Sequence, residues 1–139
     1  MKSFIRTASI FSIIAILFYS CESNHFFKSE KKLKSNLEGT WNRVQISGSE
    51  PIEQWTFLGG TVSISQVKQD STIIISGSYS IDATLTAPFL KIEDLSRDSI
   101  GFPTDYDIKW SIVQLDERVL DIVADIPTGG LAQIEFTKQ

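Results

Sequence analysis

Cysteine and histidine are almost missing from this chain. Each occurs once in 139 residues, as Cys21 and His25, so the stretch from Gly39 to Gln139 contains neither. That absence excludes Ser-His-Asp and Cys-His nucleophilic catalysis from the stretch. It also removes the His and Cys ligands of ordinary zinc sites, and a lone cysteine cannot form a disulfide within its own chain. No glycine-rich loop opens a helix in the manner of a phosphate cradle. Positive charge is scarce as well. From Gly39 onward there are 7 Lys and Arg against 14 Asp and Glu, giving 7 − 14 = −7. An acidic domain repels phosphate backbones, so nucleic acid is not an expected partner.

Long apolar runs are absent with one exception, Ile10–Tyr19, which follows the basic residues Lys2 and Arg6 and ends at Ser20-Cys21. A basic start, a short apolar stretch and a small residue before the cut describe a secretory signal peptide over residues 1–20. The apolar run is shorter than the roughly 20 residues a membrane helix needs. The position of Cys21 resembles a lipobox, with Ser20 in the small position before the cut; Phe18 and Tyr19 are bulkier than that pattern usually carries, and Leu17 lies one place early. The resemblance implies lipidation of Cys21 and a lipoprotein of the cell envelope, anchored in the outer membrane of a Gram-negative bacterium. Several acyl chains on one residue hold a membrane stably. Glu22–Glu38 carries Lys28, Lys31, Lys32 and Lys34 and reads, with Cys21, as a flexible tether over residues 21–38, with a short helix near Glu30–Leu37.

Beyond Gly39 the dominant signal has period two. Ile73, Ile75, Gly77, Tyr79 and Ile81 share one face, as do Tyr106, Ile108, Trp110 and Ile112. Leu120, Ile122 and Ala124 form a third set, and Ala132, Ile134 and Phe136 a fourth. Such alternation marks half-buried strands. Trp55 and Phe57 pair with Val62 and Ile64 across Gly59-Gly60, a tight-hairpin signal because both positions accept positive φ. Turns are expected at Gly48–Pro51, Lys68–Ser71, Asp82-Ala83, Asp116-Glu117 and Pro127–Gly130, and an irregular Leu95–Thr104 segment could lie over a barrel mouth. Trp41 is out of step with Val44 and Ile46, which predicts a bulge near Asn42-Arg43. Pro88 predicts a bulge or an edge position. The count is about eight strands, an all-β antiparallel up-and-down barrel over residues 39–139.

Gly39-Thr40-Trp41 at the head of this run resembles the lipocalin and fatty-acid-binding-protein superfamily, and more closely the small lipocalin-like (calycin) domains of bacterial lipoproteins. The resemblance covers most of Gly39–Lys138. It implies that Trp41 packs across the closed end of the barrel, near a basic residue of the last strand that Lys138 could supply. It also implies a small apolar ligand, bound without catalysis. The chain lacks the C-terminal helix of longer lipocalins, and a short barrel can be filled by its own side chains.

The side chains Trp41, Trp55, Phe57, Tyr79, Tyr106 and Trp110 therefore have two readings, pocket lining or core. Among possible acid–base groups, Asp105 and Asp107 share a strand face and could hold a hard cation. The same spacing is what a solvated strand shows. Glu93-Asp94 and Asp116-Glu117 read as turn-edge pairs. No enzyme chemistry, cofactor or metal site is expected. The alternative to a ligand carrier is a filled barrel whose outer surface contacts an envelope protein, such as a secretion-apparatus subunit or a toxin it neutralises.

Overall fold

The computed structural model describes residues 29–48, 52–68, 71–84, 87–96, 106–127 and 129–139. The apolar N-terminal segment, Cys21, Asp105 and residues 97–104 lie outside the described residues. Helix α1 (Glu30–Leu37) precedes eight strands: β1 (Gly39–Arg43), β2 (Ile52–Leu58), β3 (Thr61–Lys68), β4 (Ser71–Ala83), β5 (Pro88–Glu93), β6 (Lys109–Leu115), β7 (Val119–Asp125) and β8 (Leu131–Lys138). Each strand pairs antiparallel with the next. β8 returns to β1, with Trp41 opposite Lys138 and Arg43 opposite Phe136, and closes the barrel. Closure leaves no free sheet edge.

The alternation that makes the strands also sorts their faces. On β2, Glu53, Trp55 and Phe57 point inward and are buried, while Ile52 and Leu58 are exposed. Register carries this across the barrel: Trp55 lies opposite Ile64, and Ile64 opposite Ile75. Inward residues of every strand join one core with Leu33 and Leu37 of α1.

α1 closes one end. Ser29 caps it, its side chain accepting from the Lys32 amide at 3.3 Å. A helix of 8 residues is too short to persist alone. Its stability comes from Leu33 and Leu37, one turn apart, which bury against the barrel. The helix is thus part of the folded unit, and it plugs the end where β1 begins and β8 finishes. The opposite end is the mouth.

Several local expectations are corrected. β1 has no bulge: it stops at Arg43, and Val44 and Ile46 lie beyond it, exposed, so their phase carries no meaning. Pro88 opens β5, opposite Ala83, where its missing N–H does not interrupt the ladder. β6 starts at Lys109, later than alternation implies, and Tyr106 enters the core from the segment before it. A register shift between Ile112 and Gln114, with no sequence signal, resets the alternation so that Leu115, not Gln114, is the next buried residue. The chain leaving β5 turns at Asp94, whose φ is 57°, and Leu95 settles over Gly77. A Cβ on Gly77 would sit 2.5 Å from the Glu93 carbonyl oxygen, so only glycine admits this close approach.

Candidate functional site

The plugged end carries the feature implied by Gly-Thr-Trp. Trp41 is 0 % exposed, and its indole N–H donates to the Leu37 carbonyl at 2.7 Å. Lys138 Nζ sits 4.9 Å from the centre of the Trp41 ring and donates to the Asn36 carbonyl at 2.7 Å. Both acceptors are the last carbonyls of α1, which lack intrahelical partners and carry partial negative charge. Gly39 is required beside them: its φ is 125°, and a Cβ there would meet Lys138 Cε at 2.8 Å.

The aromatic candidates converge in the barrel interior. Trp55 is the hub, with ring centres 5.0 Å from Tyr106, 6.1 Å from Phe57, 6.4 Å from Trp110 and 4.9 Å from Phe136. Phe57 in turn meets Tyr79 edge-on at 5.1 Å. A side chain bordering a water-sized cavity would carry accessible surface. Trp55, Phe57, Ile64, Trp110, Ile122 and Phe136 carry none. These six pack against protein on every side.

Above them, toward the mouth, lies a polar network that sequence reasoning missed. Glu53 is 1 % exposed and Gln66 0 %. One Glu53 oxygen accepts from the Trp55 indole at 2.7 Å. The other accepts from the Gln66 amide at 2.5 Å and the Tyr106 hydroxyl at 3.0 Å, and lies 3.5 Å from the Arg43 guanidinium. A buried carboxylate needs such donors, since an unpaired buried charge is costly. The period-two signal did contain these residues: Glu53 is in phase with Trp55 and Phe57, and Gln66 with Val62 and Ile64. The Gln66 carbonyl oxygen is buried without a hydrogen-bond partner among the described residues. None of the groups bonded to Glu53 is a second carboxylate, so a facing acid–base pair of the glycosidase kind is not assembled there.

The other carboxylates stay apart. Glu93 pairs with Lys91 at 2.6 Å on the surface, which raises the Lys91 pKa above its ordinary value through that hydrogen bond. Asp116 caps the β6–β7 turn, accepting from the Arg118 and Val119 amides at 2.8 and 2.9 Å. Asp107 is half-buried. Among the described residues no three His, Cys, Asp or Glu side chains group as metal ligands. Two clefts formed by described residues lie outside the barrel. One, of about 470 Å³, runs between Lys32 and Asn36 of α1 and the Asp116–Val119 turn. The other, of about 160 Å³, flanks the end of β1 at Arg43 and Ile46.

The outer wall is divided. Among the described residues, the outward-facing side chains of β1–β4 are mostly Ser and Thr, with exposed Ile52, Leu58, Val67 and Ile74, and with Asp82 exposed near the end of β4. The outer faces of β5–β8 carry Lys91, Glu93, Lys109, Asp121, Asp125 and Glu135. No protein-family model, curated protein or solved structure matches the chain.

Proposed function

We propose that this is an envelope lipoprotein, held in the outer membrane through lipidated Cys21, whose lipocalin-like barrel acts through its outer surface as a non-catalytic protein-interaction module. The filled interior carries this reading. Six inward side chains around Trp55 have no accessible surface, and Glu53 spends its oxygens on the barrel's own donors. A small apolar ligand would have to displace this core, at the cost of close-packed contacts throughout it. The anchor enters at the plugged end, because α1 leads into β1 there. The chain between Cys21 and Ser29 reaches at most about 28 Å, so the barrel stays near the membrane.

Native mass spectrometry of the protein extracted from membranes tests the reading. The expected species is the polypeptide plus its own lipid modification, with no further bound molecule. A stoichiometric apolar ligand, lost when Trp55 is replaced by Ala, overturns the interaction reading in favour of a carrier. Palmitate labelling tests the anchor separately: it should vanish in Cys21→Ala.

A further inference from the structure

We propose that the lysine face of α1 seats on anionic lipid headgroups of the membrane that carries the anchor, so that the barrel stands on its plugged end with its mouth turned away from the bilayer. This rests on the lipid anchor at Cys21, part of the function proposed above, and adds the surface that meets the membrane.

Packing fixes which way the lysines point. Leu33, Asn36 and Leu37 bury one face of α1 against the barrel. At 3.6 residues per turn, Lys31, Lys32, Lys34 and Ser35 fall on the outer side, and all four are exposed. Because α1 plugs the barrel, that side looks away from the core. Among the described residues, none of the three lysines has an ion-pair partner. Lys31 and Lys34 lie three residues apart, where like charges repel. An anionic surface relieves that repulsion, and each lysine brought to one is worth about a fivefold gain in contact. Arg118, exposed on the β6–β7 turn, lines the same cleft as Lys32 and extends the basic surface past the helix.

The carboxylates of this end are engaged or lie around the helix. Asp116 is held by the Gln114 side chain and by the Arg118 and Val119 amides. Glu38, at the C-cap, is half-buried and close enough to Tyr79 to act on its phenol. Glu30 sits on the helix flank, three residues before Leu33, and Asp82 and Glu117 are exposed at the end of β4 and on the β6–β7 turn. The exposed groups are thus Lys31, Lys32, Lys34 and Arg118 against Glu30, Asp82 and Glu117, whereas Gly39–Gln139 carries 7 basic and 14 acidic residues.

Chain length names the occupant. Ser29 caps α1, and the chain from Cys21 to Ser29 reaches at most about 28 Å. Lipid on Cys21 therefore keeps the lysine face within that distance of the headgroups, and the sequence places Lys28 just before the helix. Acyl chains combined with a basic patch make a stable two-part anchor.

The test uses protein purified from membranes and reconstituted in phosphatidylcholine vesicles with or without phosphatidylglycerol. With Cys21 lipidated, an introduced cysteine is the only free thiol. A fluorophore on Ser35→Cys reports the lysine face, and one on Thr72→Cys reports the mouth end of β4, where Thr72 is exposed. On vesicles with phosphatidylglycerol, quenching of the Ser35→Cys label by acrylamide should fall about threefold relative to phosphatidylcholine alone, with the Thr72→Cys label unchanged. Adding Lys31→Gln, Lys32→Gln and Lys34→Gln should restore the quenching. Salt at about 0.5 M should do the same without any lysine substitution. Equal quenching of the two labels on vesicles with phosphatidylglycerol, or protection that survives both treatments, overturns the proposal. So does protection seen in cell envelopes and not on vesicles, which assigns the face to a protein. Protein that floats with the vesicles while the Ser35→Cys label stays open keeps the anchor and loses only this contact. Protein that carries no lipid and does not float loses both.

Discussion

The two ends of the barrel are closed by opposite chemistries. At the plugged end, two donors, the Trp41 indole and the Lys138 ammonium, reach two separate backbone carbonyls at the C-terminus of α1. At the mouth, one carboxylate gathers Trp55, Gln66, Tyr106 and Arg43. The first arrangement is distributed: losing one donor leaves the other bond and the burial of Leu33 and Leu37. The second hangs on a single acceptor. Removing Glu53 takes away the acceptor that the buried Trp55 indole and Gln66 amide use, and an unsatisfied buried group costs its full desolvation penalty.

That difference sets the largest expected effect. Glu53→Ala should destabilise the barrel by about 3–5 kcal/mol, the range for breaking one partner out of a buried charged network. Glu53→Gln keeps the shape and one acceptor oxygen, and should recover more than half of that. Urea denaturation followed by tryptophan fluorescence measures both, since Trp55 is bonded to the carboxylate. A cost below about 1 kcal/mol for Glu53→Ala would mean that the mouth closes without its acceptor, and the contrast between the ends would dissolve.

At the plugged end the matching change is smaller. Trp41→Phe keeps a buried ring but removes the N–H that reaches Leu37. The expected loss is about 2 kcal/mol, one hydrogen bond plus a partial cavity. The same denaturation series checks it, and an effect as large as that of Glu53→Ala would show that the plugged end too depends on one group.

These two ends were unequally visible in the sequence. Gly39-Thr40-Trp41 announced the plugged end because a glycine beside a tryptophan at the head of an all-β run is a local pattern. Alternation around Tyr79, Trp110, Ile122 and Ile134 announced the strands, and Gly59-Gly60 the hairpin, because periodicity and turn chemistry are local too. The mouth is built from residues far apart in the chain. Glu53 begins its strand and Gln66 nears the end of the next, where polar residues usually mark a boundary. Only the β2–β3 register, with Glu53 opposite Gln66, turns two strand-edge residues into a buried pair. Tyr106, which alternation assigns to a strand, reaches them from the segment before β6, across 53 residues. The hydroxyl-rich wall of β1–β4 was also within reach, since it is the other face of the same alternation. It stayed unread because a scarcity of charge becomes a surface only once neighbouring strands are known.

Lys138→Met tests whether the plug is held by charge or by packing. The variant keeps the aliphatic stem over Gly39 and Trp41 but loses the ammonium above the ring and its bond to Asn36. The expected cost is about 1 kcal/mol. Hydrogen exchange should show it as faster opening of the Leu33–Leu37 amides, with the β2–β4 amides unchanged. Uniform acceleration would place Lys138 in the global core instead.

The smallest effect belongs to Tyr79, whose hydroxyl is buried near the plugged end with no hydrogen-bond partner among the described residues. Burial pushes the phenol above its ordinary value of 10.0; the adjacent Gly60 backbone offsets part of this, and Glu38 adds to it. An unpartnered buried hydroxyl costs desolvation and returns nothing, so Tyr79→Phe should be neutral or stabilising by up to about 1 kcal/mol at neutral pH. The sign reverses no further below pH 10, because the phenol is protonated in both folded and unfolded chains. Above pH 10 the unfolded chain releases this proton first, and the folded state loses stability as pH rises toward its raised pKa. Thermal melting of both proteins from about pH 9 to about pH 11.5 separates the cases. The unsubstituted protein should fall more steeply than Tyr79→Phe across that window. Parallel curves would mean that the folded chain does not hold the phenol protonated, and the hydroxyl at the plugged end would then be solvated rather than stranded.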